Sequence, residues 1–169
     1  MLIDLTDVIK NENGKIDICE NFDMPSLNFM GEEFKFPKPF EVCGTVTNNS
    51  KTLELDMTIS GEAKVHCARC ASLIGISVNF PVKETLMREG EANPEDKEII
   101  LYQGKEIELD DIIVSNFLMN TSAKYLCRED CKGLCPHCGI NLNEHTCDCD
   151  KDVIDPRLEK LAEIMKNMD

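Results

Sequence analysis

The sequence predicts an α+β fold: an antiparallel sheet with the capacity to curl toward a barrel, two helices and a C-terminal cysteine-rich loop. Three observations carry this. Residues 53 to 59 alternate Leu53, Leu55, Met57 and Ile59 with Glu54, Asp56 and Thr58, which gives an extended strand one apolar and one polar face. Ile74, Ile76, Val78, Phe80 and Val82 repeat the alternation. Six of the ten cysteines fall between Cys127 and Cys149.

The two alternating runs flank Cys67-Ala68-Arg69-Cys70. A long antiparallel hairpin with these cysteines at its tip is the simplest arrangement. Val42 and Val46, and earlier Ile16 and Ile18, mark further strands. Residues 89 to 97, EGEANPEDK, are polar and carry a proline, so they read as an exposed connection. Ile99 to Tyr102 and Ile107 to Leu109 form two short strands around Gln103-Gly104. Asp110 or Asp111 then caps a helix over 112 to 120, in which Ile113 with Phe117 and Val114 with Leu118 stand four apart. The second helix starts at Asp155 as N-cap with Pro156 in the first position. Its stripe of Leu158, Leu161, Ala162, Met165 and Met168 reads first as a packing face and second as a docking face. The predicted organisation is a β-rich part with one helix over 1–126 and a cysteine-rich segment with the final helix over 127–169.

A chain of 169 residues, 42% hydrophobic, can bury a core as one domain or as a domain with a small appendage. The N-terminus lacks a basic start followed by an apolar run, and no stretch approaches the ~18 apolar residues of a membrane span. A soluble, reduced, cytoplasmic protein is expected, with no membrane partner. The formal charge of −14 disfavours non-specific binding to nucleic acid. Both parts are acidic, so a basic partner fits, although acidity also serves solubility alone.

Ten cysteines, eight of them at ligand-like spacing, without an export signal, point to metal rather than to a disulfide framework. Cys135-Pro136-His137-Cys138-Gly139 is a knuckle in which both sulfurs can face one ion and the glycine lets the backbone turn back. Cys147 and Cys149 complete a candidate site with Cys135 and Cys138, while Cys131 or His145 could replace one member. Cys67, Cys70, Cys127 and Cys131 are enough for a second four-thiolate site that pins the hairpin tip to the C-terminal loop. Cys67 and Cys70 could instead be a redox pair or plain reduced thiols, though a thioredoxin-like motif belongs at a helix N-terminus. One or two structural zinc ions are the expected cofactor, which makes the C-terminal loop a zinc-binding one. Cys19 and Cys43, single residues in strand-like segments, read as small buried hydrophobes.

No Gly-rich phosphate loop, HExxH or nucleophile elbow is present. Three histidines without a partner nucleophile make no catalytic constellation. A closed four-thiolate site also leaves zinc no position for water. The expectation is a non-enzymatic protein with no small-molecule substrate.

The CxRC pair within GEAKVHCARC, the run CREDCKGLCPHCGINLN, the CDCD and the DPRLEKL helix closely resemble the YceD family of large ribosomal RNA subunit accumulation proteins. The likeness extends from about Leu53 to Leu161. It implies a role in accumulation or processing of 23S rRNA, hence in large-subunit biogenesis, with the precursor as partner through 23S rRNA or a basic ribosomal protein. Arg69, Lys64, Lys124, Arg128 and Lys132 would lie together if the second metal site forms. They are candidates for an RNA-contacting patch or for local balancing of the zinc thiolates. A thiol redox protein and a zinc-ribbon transcription regulator are the alternatives.

Overall fold

The computed structural model describes residues 1–91 and 99–149. In chain order the elements are β1 (Leu2–Asp4), α1 (Thr6–Lys10), β2 (Lys15–Phe22), β3 (Leu27–Phe29), β4 (Glu32–Phe34), β5 (Phe40–Asn48), β6 (Leu53–His66), β7 (Leu73–Arg88), β8 (Ile99–Tyr102), β9 (Glu106–Glu108) and α2 (Asp110–Asn120). The alternating runs become the central β6–β7 hairpin, paired from Leu53↔Leu86 to His66↔Leu73. Period-two patterning needs both runs to turn the same face inward, and that requirement fixes the register.

The main sheet has the order β2-β5-β6-β7-β8. All its pairings are antiparallel except β7 with β8, which is parallel over Thr85 to Arg88. β8 and β9 do not form a hairpin around Gln103-Gly104. β9 instead pairs with β1 at the N-terminus. β2 and β8 remain opposite edges among the described residues, so the sheet is open and no barrel closes. The parallel entry of β8 explains this, because it lies along only one end of β7 and cannot carry the sheet round to β2.

Val42, Val46, Leu55, Met57, Ile59, Phe80 and Val82 form the sheet side of the core. α2 covers it through Ile112, Ile113 and Phe117. Asn116, also buried on α2, donates to Glu84 Oε1 at 3.0 Å and to the Ile112 carbonyl at 3.0 Å, so its burial leaves no unpaired amide. Phe117 meets Phe34, Phe36 and Phe40 edge to face, with centroids 5.5, 5.3 and 6.2 Å apart. Phe34 in turn contacts Tyr125 at 6.1 Å. This aromatic chain carries the packing from the helix to the residue just before the cysteine-rich segment.

The helix at residues 112–120 starts two residues earlier, at Asp110, where both aspartates occupy the first turn and suit its positive end. The short α1 has no periodic stripe long enough to announce it. The expected helix from Asp155 lies outside the described residues.

Cys19 and Cys43 differ from expectation. They face each other across β2 and β5, Cys19 exposed and Cys43 half-buried, and they form a disulfide closing 24 residues of sequence. Alternation decides their exposure: Ile18 and Val42, their neighbours, take the inward positions, so both cysteines must point out.

Candidate metal centres at the hairpin tip

Six residues, 67 to 72, join β6 to β7. The turn closes through Cys67 N–H to the Ser72 carbonyl at 2.9 Å and Ala71 N–H to the Cys67 carbonyl at 2.9 Å, with Ala71 in the left-handed region at φ 55°. Cys67 and Cys70 are buried here, and with Cys131 they make a small cluster separate from the main core. The segment after α2 reaches the tip because Ala68 N–H donates to the Tyr125 carbonyl at 2.9 Å. That contact delivers Cys127 and Cys131.

The sulfurs of Cys67, Cys70, Cys127 and Cys131 lie within 4.8 Å of one another, as do those of Cys135, Cys138, Cys147 and Cys149. Each set could hold a metal ion. In the first, Cys67 to Cys131 is 3.8 Å and Cys70 to Cys127 is 3.7 Å. A regular tetrahedron with metal–sulfur bonds of about 2.3 Å has sulfur–sulfur edges of about 3.8 Å. His145, the reserve ligand, joins neither set, and Cys131 goes to the tip rather than to the knuckle.

The thiols within each set are driven apart. Burial works to raise Cys67, but N–H groups of Cys70, Arg69 and Cys127 outweigh it and bring it down to about 6. Desolvation and then hydrogen bonds with Cys131, Cys70 and Cys67 push Cys127 up to about 12. In the knuckle, the Cys138 and His137 N–H groups lower Cys135 to about 6. Cys149 rises to about 12, chiefly through its contact with Cys138. Four sulfurs this close cannot all ionise without a cation between them, so the donor chemistry fits a thiophilic ion.

The knuckle repeats the tip in miniature. Gly139 N–H donates to the Cys135 carbonyl at 2.9 Å and Cys135 N–H to the Ile140 carbonyl at 2.8 Å. Gly139 has φ 73°, which is the conformation a glycine takes without strain. Leu134 and Asn141 bridge the base. Of the four cysteines only Cys135 is buried; Cys138 is exposed and the other two are intermediate.

Three residues hold the tip and the loop together in ways that no motif announces. The Arg69 guanidinium donates to the carbonyls of Glu129 and Cys131, each at 3.0 Å, while Leu134 N–H returns to the Arg69 carbonyl at 3.1 Å. Gly133, at φ 76°, lies so close that a Cβ there would stand 3.0 Å from the Arg69 carbonyl oxygen. Asn143 donates to Cys131 Sγ at 3.3 Å and accepts from Lys132 N–H at 2.8 Å and from Arg128 at 2.7 Å. Arg69 and Arg128, two of the five cations open to an RNA-contacting or a thiolate-balancing role, both stay exposed while using part of their guanidinium donors on the loop itself.

The family profile described as "Large ribosomal RNA subunit accumulation protein YceD" matches residues 55–165. The chain is 24% identical over 151 residues to the Bacillus subtilis (strain 168) protein YlbN, covering 89% of this chain and 88% of that one. It is 27% identical over 159 residues to the chloroplastic large ribosomal RNA subunit accumulation protein YCED homolog 1 of Arabidopsis thaliana, and 29% identical over 116 residues to a Mycobacterium tuberculosis (strain H37Rv) protein. The alignments span 50% and 53% of those two longer proteins. No solved structure matches. With the match extending from β6 through both cysteine sets, the chain belongs to the YceD family of large ribosomal RNA subunit accumulation proteins.

Proposed function

We propose that this protein is a non-enzymatic factor in 23S rRNA accumulation and large-subunit biogenesis, built around two structural zinc ions. The observation that carries the zinc reading is the assembly of eight cysteines into two four-sulfur sets. Cys67, Cys70, Cys127 and Cys131 would hold one ion, and Cys135, Cys138, Cys147 and Cys149 the other. Bound zinc would neutralise crowded thiolates and fix the loop, and four protein ligands leave no position for a reacting water. The ribosomal reading draws on family membership and on the name of the Arabidopsis relative. A redox role draws less support, because Cys67 and Cys70 sit in a β turn with two further sulfurs beside them rather than at a helix N-terminus.

The charge of −14 deepens by about −2 for each four-thiolate zinc site. The particle contact is therefore not a general attraction to phosphate, and a cationic ribosomal protein fits better than bare RNA. The cytoplasm is the fitting compartment, and no described helix is long and apolar enough to cross a membrane. The test is depletion in the source cell. Mature 23S RNA should fall relative to 16S RNA, and metal analysis of the reduced protein should give two zinc per chain. An unchanged ratio would discard the assembly role; absence of zinc would discard the metal assignment independently.

A further inference from the structure

β7 is paired with β6 from Leu73 to Leu86 but with β8 only from Thr85 onward. Its other edge, over residues 73 to 84, has no backbone partner among the described residues. Which groups point out follows from the ladder. Opposed residues in an antiparallel pair alternate between bonding each other and bonding outward. Cys67 N–H bonds the Ser72 carbonyl, so stepping by two assigns Ile74, Ile76, Val78, Phe80 and Val82 to β6. Leu73, Gly75, Ser77, Asn79, Pro81 and Lys83 face outward. Lys64, which exchanges both bonds with Lys35 on the far edge of β6, agrees with this parity. So does Pro81, since a proline is tolerated only where no ladder donor is needed.

An open edge is a hazard that proteins blunt with charge or proline. β2, the opposite edge, carries Lys15, Asp17 and Glu20. Residues 73–79, Leu-Ile-Gly-Ile-Ser-Val-Asn, carry neither a charge nor a proline, and Leu73 is 52% exposed. Ile74, Ile76 and Val78 are only half-buried on the inner face, beside a groove of about 130 Å³ lined by Ile76, Val78, Phe117, Thr121 and Tyr125. The segment therefore offers outward N–H and carbonyl groups at alternate residues, and beside Ile76 and Val78 a cleft the size of one side chain of an added strand.

We infer that the β7 edge from Leu73 to Asn79 is a docking site for an extended, cationic segment of a partner protein, which adds as a strand beside β7. Backbone bonds supply the attachment and the groove takes one inward side chain. Charge selects the occupant: a second copy brings another −14 and is repelled, as is RNA, whereas a lysine- or arginine-rich strand is drawn in. The inference rests on the large-subunit reading only for where such a partner is met.

The test uses the full 169-residue chain and a synthetic dodecapeptide of alternating lysine and valine. The Leu73, Gly75, Ser77 and Asn79 amides should exchange rapidly in the free protein and slow at least tenfold with excess peptide. Ser77→Pro removes an outward donor without touching the β6 ladder and should weaken peptide binding at least tenfold with circular dichroism unchanged. Gly75 has nothing within 4 Å of a built Cβ, so Gly75→Lys adds an opposing charge without a clash and should weaken binding at low salt, while Gly75→Glu should not. Slow exchange of these amides in the free chain would overturn the inference, as would a peptide-free dimer that Ser77→Pro abolishes. Equal binding of a glutamate–valine peptide, or the same protection from oligouridylate, would overturn the choice of a cationic protein strand. None of these outcomes bears on the 23S to 16S ratio, so the two readings fail separately.

Discussion

Replacing Arg69 with methionine keeps the aliphatic stem and removes the two bonds that tie the tip turn to the Glu129 and Cys131 carbonyls. The first of these bonds is exposed and the second partly buried. Discounting the exposed one for solvent, they contribute about 0.5 and about 1.5 kcal/mol. Because the bonds position Cys131 rather than bind metal, the roughly 2 kcal/mol should appear as weaker metal retention at the tip, about 30-fold at ~1.4 kcal/mol per decade. The assay is zinc competition with a chromophoric chelator in a Cys138→Ser background, where the tip cluster is the intact one. Arg69→Lys should recover only part of the loss, since an ammonium lacks the guanidinium fork. A change below twofold for Arg69→Met would refute the reasoning, and so would equal weakening of the knuckle in the unmutated background.

Phe117→Ala removes a buried ring that meets three other phenylalanines and should cost about 3 to 5 kcal/mol in urea unfolding; a loss under 1 kcal/mol would mean that α2 is not part of the main core. Cys138→Ser should release one metal equivalent and loosen residues 134–149 while circular dichroism retains the β signal, because the strands have their own buried face. Global loss of that signal would contradict the separation. After metal removal under non-reducing conditions, thiol titration should find eight free cysteines, rising to ten with reductant; ten before reduction would contradict the Cys19–Cys43 bond.

The parts legible in the sequence are those where one local rule decides. Period-two alternation placed β6 and β7, and with them the turn carrying Cys67 and Cys70. Four-apart apolar residues placed α2 within two residues. The grouping of cysteines into 67, 70, 127, 131 and 135, 138, 147, 149 was the favoured one, with Cys131 or His145 open as a replacement in the second set, and the structure brings the sulfurs of those two sets together. Pairing partners were not legible. Nothing in Ile99 to Tyr102 says that it runs parallel to β7, and nothing in Leu2 to Asp4 announces β9 as its neighbour. Cys19 and Cys43 looked like isolated residues because only the β2–β5 register sets them opposite each other. The contacts of Arg69 and Asn143 with the loop were not legible either, since hydrogen bonds to backbone carbonyls and to a sulfur leave no periodic trace.

The tip cluster also imposes an order of events on the newborn chain. Cys70 and Cys127 are 57 residues apart, and synthesis at roughly 5 to 20 residues per second puts about 3 to 11 s between them. Throughout that interval the hairpin can zip, because both its strands are already made, yet its end holds two thiols of an unfinished quartet. Closure waits on α2 and Tyr125 to bring the second pair round. The four-sulfur tip is thus a completion mark: it can form only once the chain has been made through α2 and Tyr125 to Cys131.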